Sequence, residues 1–111
     1  MADIKTLIKK RASVKAKLTQ FAAYLNISKS CDKLSEVQLV EVEYRLGMFE
    51  SLYEKYDVLQ NELEIAADDP ADQFTERQEF ETLYYNLVAS ARQLVTEARK
   101  ALTGDSSTEL S

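Results

Sequence analysis

The chain has 111 residues, room for one ordinary domain and a single hydrophobic core. Apolar residues make up 45% and charged residues 30%, with 2 Gly and 1 Pro, a balance that can fill a core but leaves sheets and tight turns little to work with. A net charge of −5, no histidine and a single cysteine exclude the familiar nucleophile–base pairs, the common zinc sites and an internal disulfide.

In the first segment Ile4, Leu7, Val14, Leu18, Phe21 and Leu25 recur at alternating spacings of three and four, with Arg11 at the one interrupted position. The spacing predicts an amphipathic helix over 3–27, in which Arg11 lays its aliphatic stem along the seam and its guanidinium at the edge. A polar stretch from Asn26 to Lys33 interrupts the pattern. Ser35 followed three residues later by Gln38 has the form of a capping box, so a second helix is expected over 35–67. Its apolar face is wide. Leu39, Val42, Leu46, Phe49, Tyr53 and Tyr56 form one stripe, and Leu52, Leu59 and Leu63 an adjacent one. Gly47 in mid-helix costs about 1 kcal/mol relative to alanine and points to a close helix approach or a slight bend.

Asp68-Asp69-Pro70 ends that run, because the residue before proline is pushed out of helical conformation. A third helix follows over 72–102, carrying Phe80, Leu83, Tyr84, Leu87, Val88, Ala91, Leu94, Val95, Ala98 and Leu102 up to Gly104, read as its stop. The domain is therefore expected over 1–103, with 104–111 a disordered polar tail. Short connections favour antiparallel neighbours. The fold class expected is all-α, as an elongated antiparallel three-helix bundle or a coiled-coil-like helical hairpin with a docked first helix.

Charge divides unevenly along the chain. Residues 1–29 hold seven basic side chains and one acidic; residues 30–111 hold seven basic and 18 acidic. Pairing of the basic first helix with the acidic ones accounts for this polarity within the domain, and an acidic partner would account for it outside. Lys5, Lys9, Lys10, Lys15 and Lys17 are the candidate anion or RNA contacts, although no exposed aromatics interleave them. The six tyrosines read as core and boundary packing. Ala12, Ala16, Thr19 and Ala23 make a small-residue stripe opposite Leu18 and Leu25, a candidate self-association face as well as a run of good helix formers.

Catalytic chemistry finds no footing. Glu62, Glu64, Asp68, Asp69 and Asp72 lack the register of a calcium loop and read as a solvated helix end, and two glycines on different helices make no phosphate loop. No enzyme activity, cofactor, metal or small-molecule substrate is expected. No stretch reaches the roughly 18 apolar residues of a spanning helix, and the lone Cys31 agrees with a reducing compartment; a soluble cytoplasmic protein that makes no membrane contact is the expectation.

Lys10-Arg11-Ala12-Ser13-Val14-Lys15, Leu18-Thr19-Gln20-Phe21, Tyr44-Arg45-Leu46 and Leu52-Tyr53-Glu54-Lys55-Tyr56-Asp57 with Gln60 form a series along the first two helices. Glu76-Arg77, Phe80-Glu81, Tyr84-Tyr85 and Ala89-Ser90-Ala91-Arg92 continue it. The series resembles the N-terminal helical segment of Gag-like polyproteins from BEL/Pao-type LTR retrotransposons, over about residues 5–100; Tyr53 stands where relatives often carry tryptophan. The resemblance implies self-association and particle assembly, in a retrotransposon or a host-encoded derivative, and supplies no catalytic residue. The expected partners are further copies of the chain or another helical protein, with RNA binding through the first helix as the alternative.

Overall fold

The computed structural model describes residues 3–109, with side chains through Thr103. Four α-helices, and no strand among the described residues, make up the protein: α1 Ile4–Ser30, α2 Glu36–Glu50, α3 Leu52–Ala66 and α4 Ala71–Glu109. The fold is all-α, a helical bundle as the periodicity predicts. Side-chain bonds give its direction. Arg11 reaches Gln60 and Phe21 stacks on Phe49, so α1 runs antiparallel to the α2–α3 rod. Tyr84 reaches Glu50 and Gln60 reaches Gln73, so α4 runs antiparallel to that rod too, and parallel to α1. The molecule measures 61 × 24 × 21 Å, and its length matches the roughly 58 Å that 39 helical residues span.

The helix starts follow from local chemistry. Asp3 caps α1, accepting from the Lys5 N–H at 3.4 Å. The capping box of α2 is complete: Ser35 Oγ accepts from the Gln38 N–H at 3.1 Å, and Gln38 Oε1 accepts from the Ser35 N–H at 2.8 Å. Asp69 accepts from the Ala71 N–H at 3.1 Å where α4 begins, in the turn that Pro70 marks.

Three expectations need correction. The helix expected over 35–67 is two segments divided at Ser51. Ser51 Oγ donates to the Met48 carbonyl at 2.7 Å, and the Tyr84 hydroxyl of α4 donates to the Glu50 carbonyl at 3.0 Å; hydroxyls that enter the helical ladder in this way interrupt it. Gly47 is no close approach, because a Cβ there would meet nothing within 4 Å. The last helix does not stop at 102 but runs through Gly104 to Glu109. A glycine ends a helix by turning left-handed, and no glycine with positive φ occurs among the described residues. The tail expected over 104–111 is thus helical backbone as far as Glu109, with Leu110 and Ser111 outside the described residues.

The core lies where the three rods meet. α1 buries Leu7, Val14, Leu18, Phe21 and Leu25, the heptad read from its sequence, while Ile4, 46% exposed, lies outside the core. Aromatic rings run through the centre: Phe21 on Phe49 with centroids 4.3 Å apart, Phe49 on Tyr84 at 5.2 Å, and Tyr56 on Phe80 at 3.6 Å. Such contacts add to the area they bury. Tyr56 and Tyr84 are core residues as expected, whereas Tyr44 and Tyr85 are exposed. Along α4, Phe80, Tyr84 and Ala91 are buried, Leu87, Val88 and Leu94 partly so, and Leu83 faces solvent.

Candidate interaction surfaces

Because α1 is locked into the bundle by one side, its other side is presented outward by default. Ala12, Ala16, Thr19 and Ala23 are all exposed there, and the Thr19 hydroxyl turns back onto the Lys15 carbonyl at 3.4 Å. The result is a low ridge without long side chains of its own. Helices approach to about 8–10 Å, and small contact residues permit the near end of that range.

The five candidate lysines do not share one face. Lys15 turns inward to Glu76, with Nζ and Oε1 3.0 Å apart. Lys10 and Lys17 border hollows shared with α2 and α3. Lys5 and Lys9 are exposed near the start of the helix, and neither they, Lys10 nor Lys17 forms an ion pair among the described residues. Internal neutralisation of the basic helix thus rests on Arg11 and Lys15, both of which share Glu76.

Inside the bundle is a polar layer that the sequence reading passes over. Gln60 is completely buried. Its Oε1 accepts from Arg11 Nη1 at 2.9 Å, and its Nε2 donates to the Gln73 carbonyl at 2.8 Å. Arg11 also donates to Gln73 Oε1 at 2.8 Å and lies 4.0 Å from Glu76, which besides Lys15 takes the Tyr56 hydroxyl, donating at 3.2 Å. Each long rod therefore contributes a polar side chain to one layer, and no buried side-chain polar atom among the described residues lacks a partner. The signal was in the register: Gln60 continues the three–four alternation from Tyr56 to Leu63, and Arg11 is the interruption in α1. Burial, and next the Glu76 carboxylate, pushes the Tyr56 hydroxyl well above its ordinary pKa.

A second cluster pins α4 to α3. Arg77, with its side chain 20% exposed, donates to Glu64 at 2.7 Å, Asp57 at 2.8 Å, Asn61 at 2.8 Å and Glu81 at 3.4 Å. Glu81 in turn accepts from the Tyr53 hydroxyl at 2.6 Å, a bond that raises the Tyr53 pKa, with burial adding to it. Hydrogen bonding to Glu64 holds the Arg77 guanidinium charged. Glu64, expected to belong to a solvated helix end, is instead a partner in this clamp. Farther along, Arg92 pairs with Glu50 and Arg99 with Glu43.

These clusters are structural fastenings, each closed on itself by charge and hydrogen bonding. Among the described residues no group of three or more His, Cys, Asp or Glu side chains could hold a metal ion, and no helix is long and apolar enough to cross a membrane. What remains chemically open is surface: the outer ridge of α1, its unpaired lysines, and an exposed apolar row on α2. Compared with known proteins, the chain matches no family model, no curated protein and no solved structure.

Proposed function

We propose that this chain is a non-catalytic structural module that associates with copies of itself through the outer face of α1. The observation that supports the reading is the alignment of Ala12, Ala16, Thr19 and Ala23 as an exposed ridge on a helix whose opposite side buries Leu7, Val14, Leu18, Phe21 and Leu25 in the core. Ordering costs are low on such a ridge, since alanine has no side-chain freedom to lose, and a second helix can pack close against it. In the Gag-like setting that the sequence resembles, such association would serve particle assembly, in the cytoplasm. Sedimentation equilibrium over a concentration series tests this. Concentration-dependent oligomers that dissociate in Ala16→Glu, with the urea midpoint unchanged, are expected; association that survives the substitution refutes the face.

A second reading, binding of RNA or another anionic surface, is favoured by the absence of ion pairs at Lys5, Lys9, Lys10 and Lys17 among the described residues. It requires affinity that falls steeply with salt, and Lys9→Glu with Lys10→Glu must abolish it.

A further inference from the structure

We propose that the seam between α1 and the α2–α3 rod is a docking groove for an acidic amphipathic helix of a partner protein. Two open hollows lie end to end along that seam, of about 580 Å³ and about 520 Å³, and Lys55 borders both. On the α1 side the wall runs from Lys10 through Val14 and Lys17 to Phe21; on the other it runs from Glu41 to Leu59. The α2–α3 wall rises about 27 Å over its 18 residue steps and the α1 wall about 17 Å over its 11, so both walls together flank about three turns of an occupying helix.

Apolar surface along this seam is left uncovered. Tyr44 is 73% exposed, Met48 60% and Val58 59%, and all three line the hollows. Tyr44 and Met48 stand one turn apart on α2 and Val58 continues the apolar floor on α3, where the apolar face of an amphipathic helix can lie. The charge on the walls selects the occupant. Arg45 is neutralised by Glu41 at 2.9 Å and stacks over Tyr24, which leaves Lys10, Lys17 and Lys55 against Glu54, and none of these four forms an ion pair among the described residues. A cationic groove on a chain of net charge −5 runs against the protein's overall charge and attracts an acidic segment. A second folded copy is a poor fit. Most of the apolar residues on its α1, α3 and α4 lie in its own core; of those α4 leaves exposed, Phe74, Leu83 and Tyr85 are spaced so that they share no single helix face, and Tyr44 and Met48 of the free row on α2 are themselves a wall of the groove.

The test uses the full chain and two labelled helical peptides of 18 residues, with leucines at three–four spacing and either glutamate or lysine at the remaining positions. Anisotropy titration is expected to show the glutamate peptide binding at least about tenfold more tightly, an advantage of 1.4 kcal/mol that shrinks with added salt. Lys17→Glu with Lys55→Glu reverses the order of the two peptides, and Met48→Glu weakens both; all three positions are exposed, so the urea midpoint stays in place. Ala16→Glu leaves peptide binding unchanged, which separates this groove from the outer face of α1. Equal affinity for the two peptides, or an acidic-peptide affinity indifferent to the lysine reversals, overturns the proposal. Loss of self-association in Met48→Glu without peptide binding in the unaltered chain also overturns it, and assigns the groove to a second copy.

Discussion

Replacing Gln60 with leucine tests the polar layer most directly. The substitution removes an acceptor from Arg11, a charge-assisted bond 2.9 Å long, and a donor to the Gln73 carbonyl, 2.8 Å long. Bonds to a charged group contribute about 1.5–3 kcal/mol, and neutral ones about 1 kcal/mol. Arg11 keeps Gln73 Oε1 and Glu76 as partners, and its side chain is 14% exposed; some of the loss returns through those contacts and through the added apolar surface of leucine. The net expectation for Gln60→Leu is a destabilisation of about 2 kcal/mol, or roughly 8–16 °C in Tm. Arg11→Met in the same chain removes the donor that has lost its acceptor, and replacing both partners of a bond by apolar groups costs less than removing one. The double variant should therefore be more stable than the sum of the two single losses by at least 1 kcal/mol, well beyond the roughly 0.5 kcal/mol of ordinary additivity. Urea unfolding followed by circular dichroism at 222 nm measures all four corners of the cycle. A Gln60→Leu variant as stable as the parent, or single losses that simply add, would refute the account of Gln60 as a bonded member of a closed network.

Gly47→Ala should stabilise the protein by about 0.5–1 kcal/mol, since mid-helix glycine is costly and the new methyl group meets nothing within 4 Å; a lower thermal midpoint would show that the position needs its glycine. Arg77→Ala leaves Asp57, Glu64 and Glu81 facing one another without their shared cation, and a loss of about 2–3 kcal/mol is expected. The loss should shrink in high salt, which screens the remaining repulsion, and urea midpoints at two ionic strengths measure it. Alkali should unfold the chain through its buried tyrosines. Tyr56 and Tyr84 both have pKa values raised chiefly by burial, so the stability they contribute is complete below the unfolded value of about 10 and is lost as pH rises from there through their folded values. Tyrosinate absorbance near 295 nm, followed together with helicity, should rise as helix is lost, and Tyr56→Phe should flatten the dependence.

Much of the fold was written in local pattern. The α1 heptad was readable because every apolar position but the first is buried, and the Ser35–Gln38 capping box forms as its spacing implies. The division at Ser51 was not readable, because part of its cause, the Tyr84 hydroxyl, reaches the Glu50 carbonyl from 34 residues farther along the chain. Gln60 was readable in register but not in type: hydropathy passes over a glutamine, while the three–four alternation through Tyr56 and Leu63 places it inward. Glu64 read as part of a solvated helix end and Arg77 carried no signal of its own; only the packing of α4 on α3 makes them a cluster. The outer face of α1 was legible as a face for the opposite reason, since its exposure follows from the heptad alone. Its role was not, because alanines at helical spacing are the same residues whether they serve packing against a neighbour or helix propensity alone.

The placement of the cations bears on which partner the exterior suits. Of the basic residues on α1, Arg11 goes into the core and Lys15 crosses to Glu76. Lys10 and Lys17 border the seam between α1 and the α2–α3 rod, where Lys55 from α3 joins them. A nucleic-acid backbone laid along α1 would have to reach around the helix to meet these and Lys5 with Lys9 together, and it would find acidic α2, α3 and α4 beside it. The counterion release that drives phosphate binding grows with the number of cations met at once, so division of the lysines between faces weakens that drive. An amphipathic helix needs only two or three cations beside an apolar floor, and Lys10, Lys17 and Lys55 flank such a floor. The same division that disfavours a phosphate track therefore supports a protein partner.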